Sequence, residues 1–205
     1  DVFNTATSVE AFDGGTIEAN PQNSDLESVI ANAANITTGT GNQAPTIRGI
    51  NSAGEISGGA LGTLAGTLPR ANFTVDGRNL TPNETIYGTT SAFDTEIVEV
   101  FRGPQTTSQG ANAIAGAINV RTRNPVFFRE AAVRGELASH DGRTFSLMAN
   151  TPLSDSVAVR FAYDYEKQDL YFDYIPDGVA IPEAEQRRQE TARLKFLWEP
   201  TELPQ

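Results

Sequence analysis

Alternation of apolar and polar side chains near the end of the chain is the feature that most constrains its fold. Residues 157–166 place large apolar side chains at odd positions and small or charged ones at even positions. The same alternation recurs in residues 131–137, 144–150 and 192–199. Because successive side chains of a β-strand point to opposite faces, this period predicts four strands, each with one apolar and one polar face.

Two architectures produce such strands. A soluble antiparallel sheet turns its apolar face toward a core, whereas an outer-membrane β-barrel turns that face toward lipid and its polar face toward a wet lumen. The predicted strands are about nine to eleven residues long, which is the length that spans a membrane. Aromatic residues cluster near strand ends, as an interfacial girdle requires: Tyr163, Tyr165, Tyr171, Phe172, Tyr174 and Trp198. The pattern favours the barrel, with the soluble sheet as the alternative.

The composition of the chain changes near Asn124-Pro125. Residues 1–125 contain 15 of the 18 glycines but six of the 17 aromatic residues. Two compositions predict two structural parts, 1–125 and 126–205. A net charge of −11 argues against nucleic acid as a partner, because no basic surface is present to displace counterions. The absence of cysteine excludes a disulfide scaffold, a zinc–thiolate site and a cysteine nucleophile.

The glycine-rich part is predicted to be a small mixed unit of short strands and helices. A short helix is expected after residue 24, capped by Asn23 or Ser24. Its apolar stripe would be formed by Leu26, Val29, Ile30 and Ala33. Short strands are predicted at 8–12, 44–50, 73–78 and 96–104, with a turn at Asp76-Gly77.

Four segments of this part, in this order and spacing, resemble the plug domain of TonB-dependent outer-membrane receptors. They are IRGI at 47–50, VDGR at 75–78, EIVEVFRGP at 96–104 and GANAIAGAINVRTRNP at 110–125. An amphipathic barrel directly after them is what this family shows. The resemblance implies an α+β plug domain over 1–125, with a small mixed sheet and short helices. It implies the first four or so antiparallel transmembrane β-barrel strands over 126–205.

Barrels of this class have about 22 strands, so the chain is expected to be a fragment of a plugged barrel. The resemblance also implies charged contacts between plug and barrel wall, made by Arg48, Arg102, Glu96 and Glu99. The polar face of the strands would supply the partners: Glu130, Arg134, Glu136, Arg160, Asp164, Glu166, Arg193 and Lys195. A solvated surface charge is the alternative for each of these residues.

The function that the resemblance implies is energy-coupled uptake of a scarce solute, most commonly a ferric siderophore, through the outer membrane of a Gram-negative bacterium. The inner-membrane TonB complex would supply the energy through a TonB box expected upstream of this chain, and outer-membrane lipid would surround the strands. No cofactor is expected. Candidate substrate contacts, by position, are Glu55, Arg70, Tyr87, Thr89, Thr90 and Phe93. Ordinary loop chemistry is the alternative for each of them.

Neither an enzyme nor a metal site is expected. Asp164 and Glu166 share a strand face, but the single histidine, His140, flanks a hairpin turn and no nucleophile–base arrangement is visible. The acids of the long loop after residue 166 match no established calcium-binding loop. A structural or adhesive outer-membrane protein that keeps a receptor-like plug is the alternative function, and the dependence of uptake on TonB separates the two.

Overall fold

The structure is a computed structural model that describes residues 8–20, 22–38, 44–52, 70–81, 84–85, 90–104, 113–169 and 186–200. The chain divides into two compact units, Asp1–Arg123 and Asn124–Gln205. Within the described ranges, no helix has both the length and the apolar character needed to cross a membrane.

The first unit combines short strands with two short helices. Its elements are β1 (Ser8–Asp13), α1 (Gly14–Ala19), α2 (Leu26–Ile30), β2 (Ile36–Thr37), β3 (Thr46–Ile47), β4 (Ile50–Asn51), β5 (Ala71–Val75), β6 (Arg78–Asn79), β7 (Thr95–Arg102) and β8 (Gly116–Thr122). The main sheet has the order β1-β7-β8-β5-β6, and a small sheet has the order β2-β3-β4. β5 and β8 are parallel and the other pairs of the main sheet are antiparallel. The sheet is therefore mixed, as predicted.

One hydrophobic cluster joins α2 to the main sheet. Val98 and Val100 of β7 and Ile118 of β8 are completely buried in it. The predicted apolar stripe of the helix enters the same cluster and is also buried: Leu26, Val29, Ile30 and Ala33. Burial of this stripe, more than intrinsic helix propensity, stabilises a helix as short as α2.

The cap of α2 differs from the prediction. Asp25, and not Asn23 or Ser24, is the N-cap: its carboxylate accepts a hydrogen bond from Ser28 N at 2.8 Å. The Ser28 hydroxyl accepts one from Asp25 N at 3.2 Å, which completes a capping box. Asn23 is buried and donates to the Ile17 carbonyl at 3.4 Å. Three adjacent residues could cap, and the predicted choice was wrong because tertiary packing occupies Asn23 elsewhere.

Two hairpins of the first unit have two-residue turns, each made of a non-glycine residue followed by glycine. The φ angle is positive at both positions of each turn. Asp76 (φ 50°) and Gly77 (φ 79°) join β5 to β6, as predicted. Arg48 (φ 50°) and Gly49 (φ 79°) join β3 to β4. The prediction of one strand over 44–50 was therefore wrong. The dihedral angles are those of a two-residue type I′ turn, which reverses the chain within that segment.

The Asp76 turn is fastened to the neighbouring strand β8. The Asp76 carboxylate accepts hydrogen bonds from Thr122 N at 2.9 Å and from Thr122 Oγ1 at 2.7 Å. Asp76 N donates to the Val120 carbonyl at 2.9 Å. Because Thr122 is buried, these bonds satisfy polar groups that water does not reach.

The second unit is a single antiparallel sheet. Its strands are β9 (Glu130–Ala138), β10 (Gly142–Ser154), β11 (Val157–Asp169) and β12 (Gln186–Trp198), in the order β12-β11-β10-β9. Each strand is paired antiparallel with the strand next to it in the sequence. The four predicted strands are therefore present, and β10, β11 and β12 each extend to 13 residues.

The faces of this sheet are inverted relative to a soluble sheet. Its large apolar side chains are exposed, with 88% for Leu137, 71% for Trp198 and 67% for Phe196. On the opposite face Arg160 and Asp164 are only 3% and 4% exposed. A soluble antiparallel sheet buries its apolar face, whereas outer-membrane strands turn it outward. The predicted fold class, an α+β unit followed by antiparallel strands of the barrel type, is confirmed.

Gly14 is expected to tolerate no side chain. A Cβ at this position would lie 2.3 Å from the Thr95 carbonyl oxygen, which belongs to the backbone of β7 and cannot move freely. We expect Gly14→Ala to lower the free energy of unfolding by about 1–3 kcal/mol, the usual cost of overpacking. Amide hydrogen exchange in β7 would measure the loss. Gly15→Ala is the matched control, because its nearest neighbour is the movable Asp13 carboxylate at 3.1 Å; equal losses would contradict the prediction.

Asp13 makes the stability of α1 depend on pH. Its carboxylate caps the helix by accepting hydrogen bonds from Thr16 N at 3.0 Å and Thr16 Oγ1 at 2.8 Å. These bonds, the backbone bond above all, hold the pKa of Asp13 below its ordinary value of 3.8. The stabilisation is therefore fully present above the ordinary pKa and is lost as pH falls through the lower folded-state pKa.

We expect Asp13→Asn to keep the cap and to flatten the acid side of the stability profile, because asparagine caps without titrating. Asp13→Ala should instead lower stability at neutral pH as well. Urea unfolding of each variant from neutral pH down to about pH 2 would test this. An Asp13→Asn profile as steep as that of the unsubstituted chain would contradict it.

Candidate functional site

Three arginines of the first unit lie at one end of its main sheet, which we call the arginine end (Arg48, Arg70 and Arg102). The register pairs Arg102 with Ser8 and with Gly116, and Gly116 with Ala71. Arg70 therefore directly precedes the strand that starts at this end. Arg48, in the turn of the small sheet, lies near the same end. Its Nη1 is close to Gly103, the residue that follows Arg102, and would be 3.3 Å from a Cβ added there. The two Arg-Gly motifs, distant in sequence, meet here.

Arg102 is held by a closed set of contacts within the first unit. Its Nη1 lies 3.0 Å from the Glu10 carboxylate and donates to the Ala34 carbonyl at 2.8 Å. Ala34 N donates to the same Glu10 carboxylate at 3.2 Å. These bonds join the edge strand β1, the segment after α2 and the end of β7. Charge-assisted bonds of this kind are stronger than neutral ones.

The environments of the two Arg-Gly arginines differ. The Arg102 side chain is only 12% exposed, and its buried Nε makes no hydrogen bond to any residue that the structure describes. Arg48 is exposed, and the turn fixes its backbone by donation from Arg48 N to the Asn35 carbonyl at 2.9 Å. Arg102 thus has an internal ion pair that the sequence did not predict, together with one donor still unmatched in the described part of the chain.

The two glutamates that, like these arginines, are predicted to contact the barrel wall lie elsewhere on β7. Glu96 is near the opposite end of the strand, 3.9 Å from Arg121, with both side chains about half exposed. An exposed pair at this distance contributes little to stability. Glu99 is half-buried in the middle of β7, opposite Ala11 and Asn119. Arg48 and Arg102 are therefore brought together, whereas Glu96 and Glu99 are not brought to them.

The residues predicted to contact the substrate do not lie together in the structure. Arg70 lies at the arginine end, where its carbonyl accepts from Ala115 N at 2.7 Å. Thr90 and Phe93 precede β7 and lie toward the opposite end of the sheet, where the Thr90 carbonyl accepts from Leu26 N at 2.8 Å. The remaining candidates, Glu55, Tyr87 and Thr89, are outside the described residues.

Paired charges line the polar face of the second unit. Arg160, almost completely buried, binds Glu130 at 2.8 Å across two strand intervals. Ser146 donates to the buried Asp164 carboxylate at 2.6 Å. Burying an unpaired charge costs far more than burying a paired one, so these pairs make a polar interior face possible.

Asn150 is a structural residue that the sequence did not single out. It is buried on the polar face of β10, and its amide pairs with both the N–H and the carbonyl of Val126, at 3.1 and 2.9 Å. It also donates to the Phe128 carbonyl at 2.6 Å. Lys195 adds a hydrogen bond to Asn124 Oδ1 at 3.2 Å. The segment that follows β8 is therefore clamped to the polar face of the strand sheet.

No group of three or more histidine, aspartate and glutamate side chains within the described ranges could hold a metal ion. Arg102 is paired with Glu10 and Arg160 with Glu130, and the Asp164 carboxylate accepts from Ser146, so these contacts fix the positions of the charged groups.

Comparison with known proteins identifies the family of the first unit. Residues 1–117 match the TonB-dependent Receptor Plug Domain family. Among solved structures, the chain is similar to the ferric yersiniabactin uptake receptor FyuA of Yersinia pestis, with 16% identity and a TM-score of 0.75, over 93% of this chain and 28% of that one.

Two further receptors have the same architecture. FpvA of P. aeruginosa, in complex with an iron-bound pyoverdine, has 16% identity and a TM-score of 0.75, over 97% of this chain and 24% of its own. The ferric-catecholate import receptor Fiu of E. coli K12 has 21% identity and a TM-score of 0.63, over 86% of this chain and 23% of its own.

At these identities the likeness shows the fold alone, and the chain spans about a quarter of the length of these receptors. The family match covers more than half of the chain; it contains the arginine end and four strands of the main sheet, and it ends within the fifth, β8. The chain therefore belongs to the TonB-dependent receptor plug family.

Proposed function

We propose that the chain is the plug and the first barrel strands of a receptor that takes up a scarce nutrient across the outer membrane of a Gram-negative bacterium. The observation that carries this proposal is the inverted sheet that directly follows the plug, with apolar side chains exposed and charged side chains buried. Lipid on one side and a polar lumen on the other are the surroundings in which such a sheet is stable. Residues 1–125 are then the plug and 126–205 the barrel strands.

The TonB complex of the inner membrane is the proposed source of energy, acting on a segment N-terminal to β1. β1 is an edge strand of the main sheet, and its neighbour there is β7. A pull on the residues before Ser8 would therefore load the β1–β7 ladder first, together with the Glu10–Arg102 pair. At the other end of the unit, the Asn150 clamp holds the segment after β8. This geometry favours opening of the plug at its N-terminal strand while its C-terminal end stays anchored.

The proposed substrate is a ferric siderophore or a similar nutrient. The structural relatives include a ferric yersiniabactin uptake receptor and a ferric-catecholate import receptor, which favours this class of substrate. Among the candidate contacts, Arg70 is at the arginine end and Thr90 and Phe93 are toward the other. One small ligand would therefore use one of these two groups. Glu55, Tyr87 and Thr89 stay candidates of the same proposal.

Contact of Arg48 and Arg102 with carboxylates of the barrel wall is part of the proposal. Two observations support it: Arg48 is exposed, and the buried Nε of Arg102 has no acceptor among the described residues. A buried donor without an acceptor costs about 1–3 kcal/mol, which an additional carboxylate would recover. Glu96 and Glu99 would make separate contacts from other positions along β7.

We expect uptake by the intact receptor to require TonB. Iron-starved cells that express the receptor should accumulate radiolabelled iron from a siderophore, and cells that also lack TonB should fall to the level of cells without the receptor. Retention of siderophore binding by the TonB-deficient cells would be the control for receptor assembly. Uptake that persists without TonB would contradict the proposal, and binding without any uptake in either strain would favour a structural or adhesive protein.

We expect Arg102→Gln to destabilise the intact receptor more than Glu10→Gln does. If Arg102 served the internal pair alone, Glu10→Gln would cost at least as much, because it leaves the buried guanidinium without its charge partner. If a carboxylate on the barrel wall also binds Arg102, the loss of stability is instead larger for Arg102→Gln than for Glu10→Gln, by about 1–3 kcal/mol. Thermal unfolding of both variants in detergent measures the difference. A larger loss for Glu10→Gln would limit Arg102 to the internal contact.

A further inference from the structure

Ion pairs hold the N-terminal arm of the first unit, by which we mean β1 and α1 (residues 8–19). In β1, the Glu10 carboxylate lies 3.0 Å from Arg102 Nη1. In α1, Glu18 Oε1 accepts a hydrogen bond from Arg123 Nη2 at 2.9 Å. Arg123 is the residue at which the first unit ends, 105 positions after Glu18. This second contact therefore joins the N-terminal arm directly to the C-terminal end of the unit.

Arg123 is also supported by backbone groups outside α1. Its N–H donates to the Asp94 carbonyl at 3.1 Å, and its Nε donates to the Thr95 carbonyl at 3.5 Å. Asp94 and Thr95 are both buried and lead into β7, so they form a rigid base for the guanidinium. A guanidinium that is ordered in this way loses little conformational freedom when it binds a carboxylate.

A close approach between α1 and β7 makes the second ion pair possible. Gly14 is the first residue of α1, and a Cβ there would lie 2.3 Å from the Thr95 carbonyl oxygen and 3.0 Å from Arg123 Nη2. Glycine is the residue that allows other groups to come this near to the backbone. The start of α1 therefore packs against the same guanidinium that binds Glu18 near the end of the helix.

α1 covers part of the hydrophobic cluster of the first unit. Ile17 is 2% exposed and belongs to the cluster that also contains Val98 and Val100 of β7. A helix of six residues is not stable without such packing, because helix nucleation costs more than so few hydrogen bonds return. Departure of α1 from the sheet would therefore unfold the helix and expose the cluster to water. Separation of β1 alone would leave Ile17 in place.

We propose that the Glu18–Arg123 pair controls whether α1 leaves the sheet together with β1 when the plug opens. The inference rests on the proposed function, in which a pull acts on the segment before β1. Counted from the pulled end, the Glu10–Arg102 pair comes within β1, and the Glu18–Arg123 pair comes after the whole β1–β7 ladder. While the second pair holds, opening is confined to β1. Once it breaks, opening extends through α1 to the hydrophobic cluster.

The test uses the intact receptor in iron-starved cells, with Ile17→Cys as a reporter of the departure of α1. This chain contains no cysteine, and the buried thiol should react with a small maleimide only when α1 leaves the cluster. Cells that lack TonB should therefore label much more slowly than cells that have it. Glu18→Gln should raise the TonB-dependent labelling rate by about two- to fivefold, which is the effect expected of a half-exposed ion pair. The receptor without Ile17→Cys gives the background.

Glu84→Gln in the same Ile17→Cys background is the matched control. Glu84 and Arg78 form an ion pair of similar length, 3.0 Å, in the same unit, but at the opposite edge of the main sheet from β1. Its loss should leave labelling unchanged. Arg123→Gln should raise the rate at least as much as Glu18→Gln does. Adding Glu18→Gln to Arg123→Gln should have no further effect, because both substitutions remove the same interaction.

TonB-independent labelling, or a Glu18→Gln receptor that labels no faster than the Glu84→Gln control, would overturn the inference. Heat-modifiable mobility in gel electrophoresis shows whether each variant forms a barrel, and Ala33→Cys, buried in the same cluster, is a second reporter if Ile17→Cys prevents assembly. Iron uptake that does not need TonB would contradict the proposed function. Uptake that needs TonB, with labelling unchanged by Glu18→Gln, would contradict the inference alone.

Discussion

Exposed apolar side chains on the strand sheet impose the constraint on which the rest of the structure depends. Val133, Leu137 and Trp198 would each lose favourable burial in water, and lipid removes that penalty. With lipid on the outer face, the polar face must meet polar groups, and Arg160 and Asp164 are paired accordingly.

The first unit cannot rely on a large core, because a small domain buries a limited share of its surface. Its short elements are held by specific polar contacts at both ends of the main sheet. At the arginine end, Glu10 and Arg102 fasten the edge strand β1 to β7. At the opposite end, the Asp76 carboxylate fastens the β5–β6 turn to Thr122. Ion pairs and turns here have the role that additional hydrophobic burial has in a larger domain.

The chain is held differently at β1 and in the segment that follows β8. Its N-terminal strand is at a sheet edge and is held by one ladder and one ion pair. The segment that follows β8 is held by Asn150, whose side-chain amide forms hydrogen bonds with both the N–H and the carbonyl of Val126, as a neighbouring strand would.

Local patterns were sufficient for much of the fold. The period-two alternation predicted all four strands of the second unit and which face of each is apolar, because strand geometry leaves no other assignment of side chains to faces. The apolar stripe of α2 and the Asp76-Gly77 turn were predicted on equally local grounds. The family resemblance, carried by short ordered motifs, was confirmed by the match over residues 1–117.

The predictions that were wrong concerned features that depend on residues distant in the sequence. The cap of α2 was assigned to Asn23 or Ser24, but packing leaves that role to Asp25. Residues 44–50 were predicted as one strand, yet Arg48 adopts a positive φ that a non-glycine residue reaches only when its surroundings hold it there. The sequence by itself determined the four strands of the second unit, their faces and the family. The tertiary structure alone decided which polar groups meet. Glu10 and Arg102, and likewise Asn150 and the backbone of Val126, lie far apart along the chain, and a pattern of neighbouring residues contains no information about such contacts.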